Sequence, residues 1–199
     1  MNPLKAFPKV LAFCALLLSV LGACAHSPEP TFFALSARQG SVVHAARSLK
    51  IELRHTALPG YLDRPHIVRR TTAEQLELDD DELWGAPLAE MVDATLAEDL
   101  AQRLPGSTVY QEGGAISAVP DARVEAQLLR FERAASGDVE LLAQVAVHFG
   151  SGEASVQRFA FTHTPASGRT SDAVRSLSQL LGQLSDGISA MISRQSAGP

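Results

Sequence analysis

The chain has 199 residues, 46% of them hydrophobic and 20% charged, with 14 glycines, 11 prolines and a formal net charge of −5. That length suits one domain or two small ones, and the apolar content excludes a disordered chain. The acidic balance gives no general field for nucleic acid, and two cysteines cannot build a disulfide framework.

The first 24 residues read as an address. Lys5 and Lys9 precede the apolar run VLAFCALLLSV at 10–20, long enough for a signal-peptide core and short for a bilayer span of about 20 residues. Leu21-Gly22-Ala23-Cys24 then matches the cleavage box of bacterial lipoproteins. The Cys24 thiol is the nucleophile for diacylglycerol, and small residues beside it let the peptidase close on the backbone. The competing reading, an ordinary signal peptide with an incidental cysteine, leaves Leu21 at this spacing unexplained. Cutting before Cys24 removes both n-region lysines and none of the 22 acids, so the mature chain is more acidic than the precursor. Ala25, where aspartate commonly retains a lipoprotein at the inner membrane, points to the outer one. Residues 24–31 form the acylated cysteine and its tether, in which Ala25 to Pro30 spans roughly 20 Å at about 3.3 Å per residue. The folded part, 32–194, therefore sits close to its membrane.

Phe32 to Ser36 and Leu49 to Arg54 are predicted strands, the second alternating Leu49, Ile51 and Leu53 with charged neighbours. Leu58 to Pro65 is a turn-rich connection. Ile67-Val68 and Leu76 to Leu78 suggest two short strands, and the acidic run Asp79 to Glu82 a solvated turn. Pro87 starts a helix whose apolar face carries Leu88, Met91, Val92, Thr95, Leu96, Leu100 and Leu104, and Pro105-Gly106 ends it. Thr108 to Gln111 is a further short strand. Val124 to Ala134, Val139 to Phe149 and Ala154 to Thr164 form an antiparallel meander, the middle strand alternating strictly. The second hairpin is expected to place Phe149 opposite Ala154, hence His148 opposite Ser155 and His163 opposite Glu140.

Val174, Leu177, Leu181, Leu184, Ile188 and Met191 then mark a long amphipathic helix ending near Ser193. Its stripe suits a cover for the sheet or a coiled-coil seam between copies; a one-domain sheet needs a cover, which favours the first. Residues 195–199 read as a frayed tail. The expected fold is a single α/β (α+β) domain, a largely antiparallel sheet with two main helices packed on one face.

Chemistry finds little support. The six histidines, His26, His44, His55, His66, His148 and His163, show no zinc-ligand spacing, and no cysteine remains after acylation. Asp79 to Glu82 lacks the alternate spacing and central glycine of a calcium loop. No nucleophile elbow, Walker loop or dinucleotide fingerprint occurs. The expectation is no enzyme, no metal and no cofactor.

The segment Leu58-Pro59-Gly60-Tyr61-Leu62-Asp63-Arg64-Pro65-His66-Ile67-Val68 closely resembles the "lPeYLDRPqIV" element of the ABC-type transport auxiliary lipoproteins, the membrane-integrity-associated transporter subunits typified by paraquat-inducible protein C. The lipobox, Phe32-Phe33-Ala34-Leu35 for a "YYxL" strand, Leu83-Trp84-Gly85-Ala86-Pro87-Leu88 for "rWaePL" and the long C-terminal helix follow the family's order. Phe32-Phe33 replaces the usual tyrosines and His66 the usual glutamine.

The resemblance implies an outer-membrane-anchored periplasmic subunit of an intermembrane lipid transport system. Its partners would be inner-membrane mammalian-cell-entry (MCE) proteins, served in some systems by an ABC permease. The subunit would dock the conduit and perform no chemistry. An outer-membrane assembly lipoprotein for a β-barrel is the alternative. Within the motif, Tyr61 and Leu62 suit an apolar anchor, Asp63 and Arg64 are expected to pair with backbone or each other, and Pro65 fixes the turn. The turn either contacts a partner or only joins two strands, and Trp84 either packs or binds.

Overall fold

The structure, a computed structural model, describes residues 29–45, 47–116 and 118–196. The signal segment, Cys24 and the end of the tail lie outside them. The elements are β1 (Thr31–Phe33), β2 (Lys50–Leu53), β3 (His66–Arg70), β4 (Leu76–Trp84), α1 (Leu88–Arg103), β5 (Thr108–Gln111), β6 (Ala122–Arg133), β7 (Val139–Phe149), β8 (Ser155–His163) and α2 (Thr170–Ser196).

Strand β6 is the axis. Along one side β7 pairs with its whole length, from Ala122 opposite Phe149 to Arg133 opposite Val139, and β8 continues from β7. Along the other side β6 has two different neighbours. Its start pairs with β2 in parallel, Ile51 facing Ala122, and its far end meets β3 at Arg69 and Arg133. Strand β5 extends the first branch, and β4 with β1 the second. The eight-stranded sheet is thus mixed. The long ladders are antiparallel as expected, while β1, β2 and β5 enter through short parallel pairings.

Both helices lie on one face. Leu88, Val92, Leu96 and Leu100 of α1, one face at four-residue spacing, meet Leu177, Leu181, Leu184 and Ile188 of α2 over Val124, Leu128, Leu141, Val145 and Val147, each no more than 3% exposed. The α2 stripe is therefore spent inside the chain, which decides against a coiled-coil seam. No helix among the described residues is long and apolar enough to cross a membrane.

Three local expectations need correction. The second hairpin is shifted by one residue: Val147 faces Ser155 and Val139 faces His163. Side-chain alternation fixes this, because Phe159 then faces Ala143 on the helix side instead of the outward Gln144. Asp79 to Glu82 is no turn between strands. Those four residues lie within β4 and face a single residue of β3, Ile67, between the pairs His66–Leu83 and Val68–Leu78. The bulge lets the acids reach water without ending the strand: Asp79 Oδ1 accepts the Asp81 N–H at 3.1 Å. Finally β1 stops at Phe33, because the chain leaves the sheet there and crosses the helices as a strap over 34–45. Ser36 N–H donates to Ser178 Oγ at 3.2 Å, Arg38 N–H to Asp99 Oδ1 at 2.6 Å and Val43 N–H to the Arg103 carbonyl at 2.7 Å.

Candidate functional site

The fork in the sheet positions the Leu58–Pro65 connection. Between β2 and β3 one flank of β6 is open, and the connection fills it: Ala57 bridges Gln127, and Leu62 N–H closes a turn on the Pro59 carbonyl at 2.9 Å. A bulge at Leu129 then sets the chemistry. Leu128 faces Ala143 and Arg130 faces Leu142, so the extra residue restarts the inward alternation at Phe131 and turns Glu132 to the other face.

Tyr61 spans this bulge. Its hydroxyl donates to Glu132 Oε2 at 2.8 Å and lies 3.4 Å from the freed Leu129 carbonyl. Arg70 reaches Glu132 Oε1 with Nε at 3.0 Å and Nη2 at 2.9 Å, and its guanidinium carbon lies 5.8 Å from the Tyr61 ring centre. The Glu132 side chain, 2% exposed, is therefore a buried acid fully partnered by an arginine fork, a phenol and the Phe131 N–H. Burial and the neighbouring Glu132 carboxylate push the Tyr61 phenol up to about 12. On the helix side Leu62, 2% exposed, borders a void of about 30 Å³ with Val68, Trp84, Leu88, Phe131 and Leu177.

The motif divides at Leu62. Tyr61 and Leu62 are internal, whereas Asp63, Arg64 and Pro65 are exposed. The expected pairing of the two charges is absent: among the described residues neither side chain makes a hydrogen bond or ion pair, and the only polar contact at this step is Arg64 N–H to the Leu62 carbonyl at 2.9 Å. Pro65 ties the turn to Trp84, whose N–H donates to the Pro65 carbonyl at 2.7 Å. Trp84 is 6% exposed and packs in the core ahead of α1. Its remaining face joins Asp63, Arg64, Pro65, Ala86 and Pro87 around a surface hollow of about 350 Å³. The structure thus gathers Asp63 to Pro65 and Trp84, which the sequence separates by some twenty residues, at one place.

Sequence reasoning missed a second polar centre, under the strap. Arg103, 1% exposed, donates through Nε to Asp186 at 2.6 Å, through Nη1 to the Arg38 and Asp99 carbonyls at 2.9 and 3.0 Å, and through Nη2 to the Gly182 carbonyl at 3.0 Å. Burial holds the Asp99 carboxyl above its ordinary range, against the pull of Arg38 N–H and the Arg103 charge. The Asp99–Arg103 spacing is the only signal in the sequence, and it reads there as a solvated helix pair.

The histidines stand apart. His55 Nδ1 lies 3.1 Å from the buried Asp93 carboxylate, and His163 Nδ1 3.0 Å from Ser176 Oγ. Ser176 gives its hydroxyl proton to the Asp172 carbonyl at 3.0 Å, so the histidine nitrogen is the donor in that pair. Among the described residues no three His, Cys, Asp or Glu side chains gather as metal ligands.

A family model described as an ABC-type transport auxiliary lipoprotein component matches residues 33–189. The chain belongs to that family. Two solved structures share its fold. A crystal structure of an uncharacterized protein superposes with a TM-score of 0.71 at 20% identity, covering 83% of this chain and 100% of that one. Protein XCC0632 from Xanthomonas campestris, of family DUF330, gives 0.68 at 15% identity over 83% of this chain and 94% of that one. A PelC dodecamer from Paraburkholderia phytofirmans is more distant, at a TM-score of 0.45 and 14% identity over 78% and 97% of the two chains. Among curated protein sequences none matches. The Tyr61–Pro65 turn lies inside the matched region.

Proposed function

We propose that this auxiliary lipoprotein is held at the periplasmic face of the outer membrane through acylated Cys24 and docks an MCE-type lipid conduit, without catalysing a reaction. One observation carries the reading. Asp63, Arg64 and Pro65 are exposed beside Trp84 with no partner for either charge among the described residues, while the two residues before them are fixed in the fold. A turn that merely joined β2 to β3 would have no need of an unpaired acid and base on a buttressed platform; loops held rigidly by a scaffold are where binding residues concentrate. Opposite charges one residue apart, next to a Trp-lined hollow, suit a protein surface that offers a complementary pair and an apolar side chain.

The test is a crosslink and pull-down of the tagged, acylated protein from native membranes, identifying proteins and co-purified lipids together. Recovery of an MCE-domain protein supports the reading. Recovery of a β-barrel alone, or of no inner-membrane partner, overturns it in favour of an outer-membrane assembly role.

A further inference from the structure

The strap and α2 enclose a groove of about 580 Å³ on the helix side of the molecule, bordered by Arg38, Arg103, His163, Gln179, Gln183 and Asp186. Arg38 is held there by its backbone, with its N–H on Asp99 Oδ1 at 2.6 Å and its carbonyl on Arg103 Nη1 at 2.9 Å. Gly182 lets it lie close to α2: a Cβ at that position would stand 3.1 Å from Arg38 Cβ and 3.4 Å from Arg103 Nη2.

What is fixed so firmly then goes unused. The Arg38 guanidinium makes no ion pair among the described residues, and its Nε is buried with no acceptor. Arg103 differs, spending its donors on Asp186 and on three carbonyls. Asp186 is engaged through Oδ1 only, its side chain staying 47% exposed at the rim of the groove, and Asp99, 0% exposed, is shut off from it. The remaining wall presents donors: the Arg38 fork from the strap and the Gln179 and Gln183 amides from α2. A buried donor without an acceptor is unfavourable, and an arginine fork matches an oxyanion. Donors on two walls suit a tetrahedral anion, and the opening leaves room for a substituent outside.

We propose that this groove binds a phosphate group, either free phosphate or the phosphodiester of a lipid headgroup, with Arg38 as its principal contact. The site lies apart from the Asp63–Pro65 turn, so it stands or falls separately from the docking role.

The experiment is calorimetric titration of the full acylated chain in neutral detergent micelles, once with inorganic phosphate and once with phosphatidylglycerol added to the same micelles. Saturable binding in either arm is expected, weakened at least tenfold by Arg38→Gln and by Gln183→Glu, which places a like charge at an exposed position of α2. Neither change removes an intramolecular side-chain bond, so thermal unfolding without ligand should match the parent. Binding in the lipid arm alone assigns the headgroup; binding in the phosphate arm alone assigns the free anion. No saturable binding in either arm, or binding undiminished by both substitutions, overturns the proposal.

Discussion

The Tyr61 hydroxyl donates to Glu132 Oε2 across 2.8 Å, joining the most specific element of the sequence to a residue turned outward by a strand bulge 71 positions away. The bond accounts for the need for tyrosine. A phenylalanine would fill the same space but leave the buried carboxylate one donor short. Tyr61→Phe is expected to cost about 1.5 kcal/mol, in the range for a hydrogen bond to a charged group, with the fold retained. Urea unfolding would measure it.

Burial of the Tyr61 phenol, reinforced by its bond to Glu132, sets an alkaline response. With its phenol raised to about 12, Tyr61 favours the folded state fully below the ordinary tyrosine value near 10. That contribution is lost progressively as pH rises toward 12, since the unfolded phenol ionises first. The parent should lose stability over that window, and Tyr61→Phe should lose less of it. Tyr110, also raised by burial, remains in both chains and serves as the internal reference.

Arg103 governs the other polar centre. Replacing it by methionine keeps the bulk but leaves the Asp99 carboxylate, 0% exposed, with the Arg38 N–H and the Ser185 hydroxyl and no counter-charge, and frees the strap at the Arg38 carbonyl. Breaking a buried pair from one side costs about 3–5 kcal/mol, a large share of the 5–15 kcal/mol typical of a domain. Arg103→Met should move the urea midpoint strongly downward and speed hydrogen exchange at the Arg38 and Val43 amides.

Gly187 marks a close approach of α2 to β8. A Cβ there would collide with Phe159 Cε1 and stand 2.8 Å from its Cζ. Phe159 is 7% exposed, with Phe161 stacked at 6.0 Å, so the ring has little room to retreat. Gly187→Ala should destabilise by about 1–2 kcal/mol, overpacking outweighing the gain of roughly 1 kcal/mol in helix propensity. Gly60→Ala, with nothing within 4 Å, should stay within about 0.5 kcal/mol of the parent.

Much of this architecture is legible in the chain. Val139 to Phe149 alternates so strictly that its bounds follow from the sequence, and Pro87 with Pro105-Gly106 brackets α1. What eludes a linear reading depends on distant partners. Four consecutive acids look like a turn until Ile67 lies opposite them, and Asp99 and Arg103 look solvated until the strap covers them. The hairpin register turns on which side chain Phe159 faces, which loop length alone does not specify. At the candidate site the anchoring roles of Tyr61 and Leu62 follow from residue type. That Asp63 and Arg64 stay unpaired among the described residues does not, because proximity in sequence suggests a pairing that the turn does not make.

The most direct test of the docking account is a photo-crosslinking amino acid placed at Arg64, and separately at Arg158 on the uncovered face of β8, in the acylated protein in living cells. The account predicts a crosslink to an MCE-domain protein from position 64, none from 158, and loss of the complex in Asp63→Ala with the fold intact. A crosslink from 158 alone, or an undiminished complex in Asp63→Ala, would contradict it.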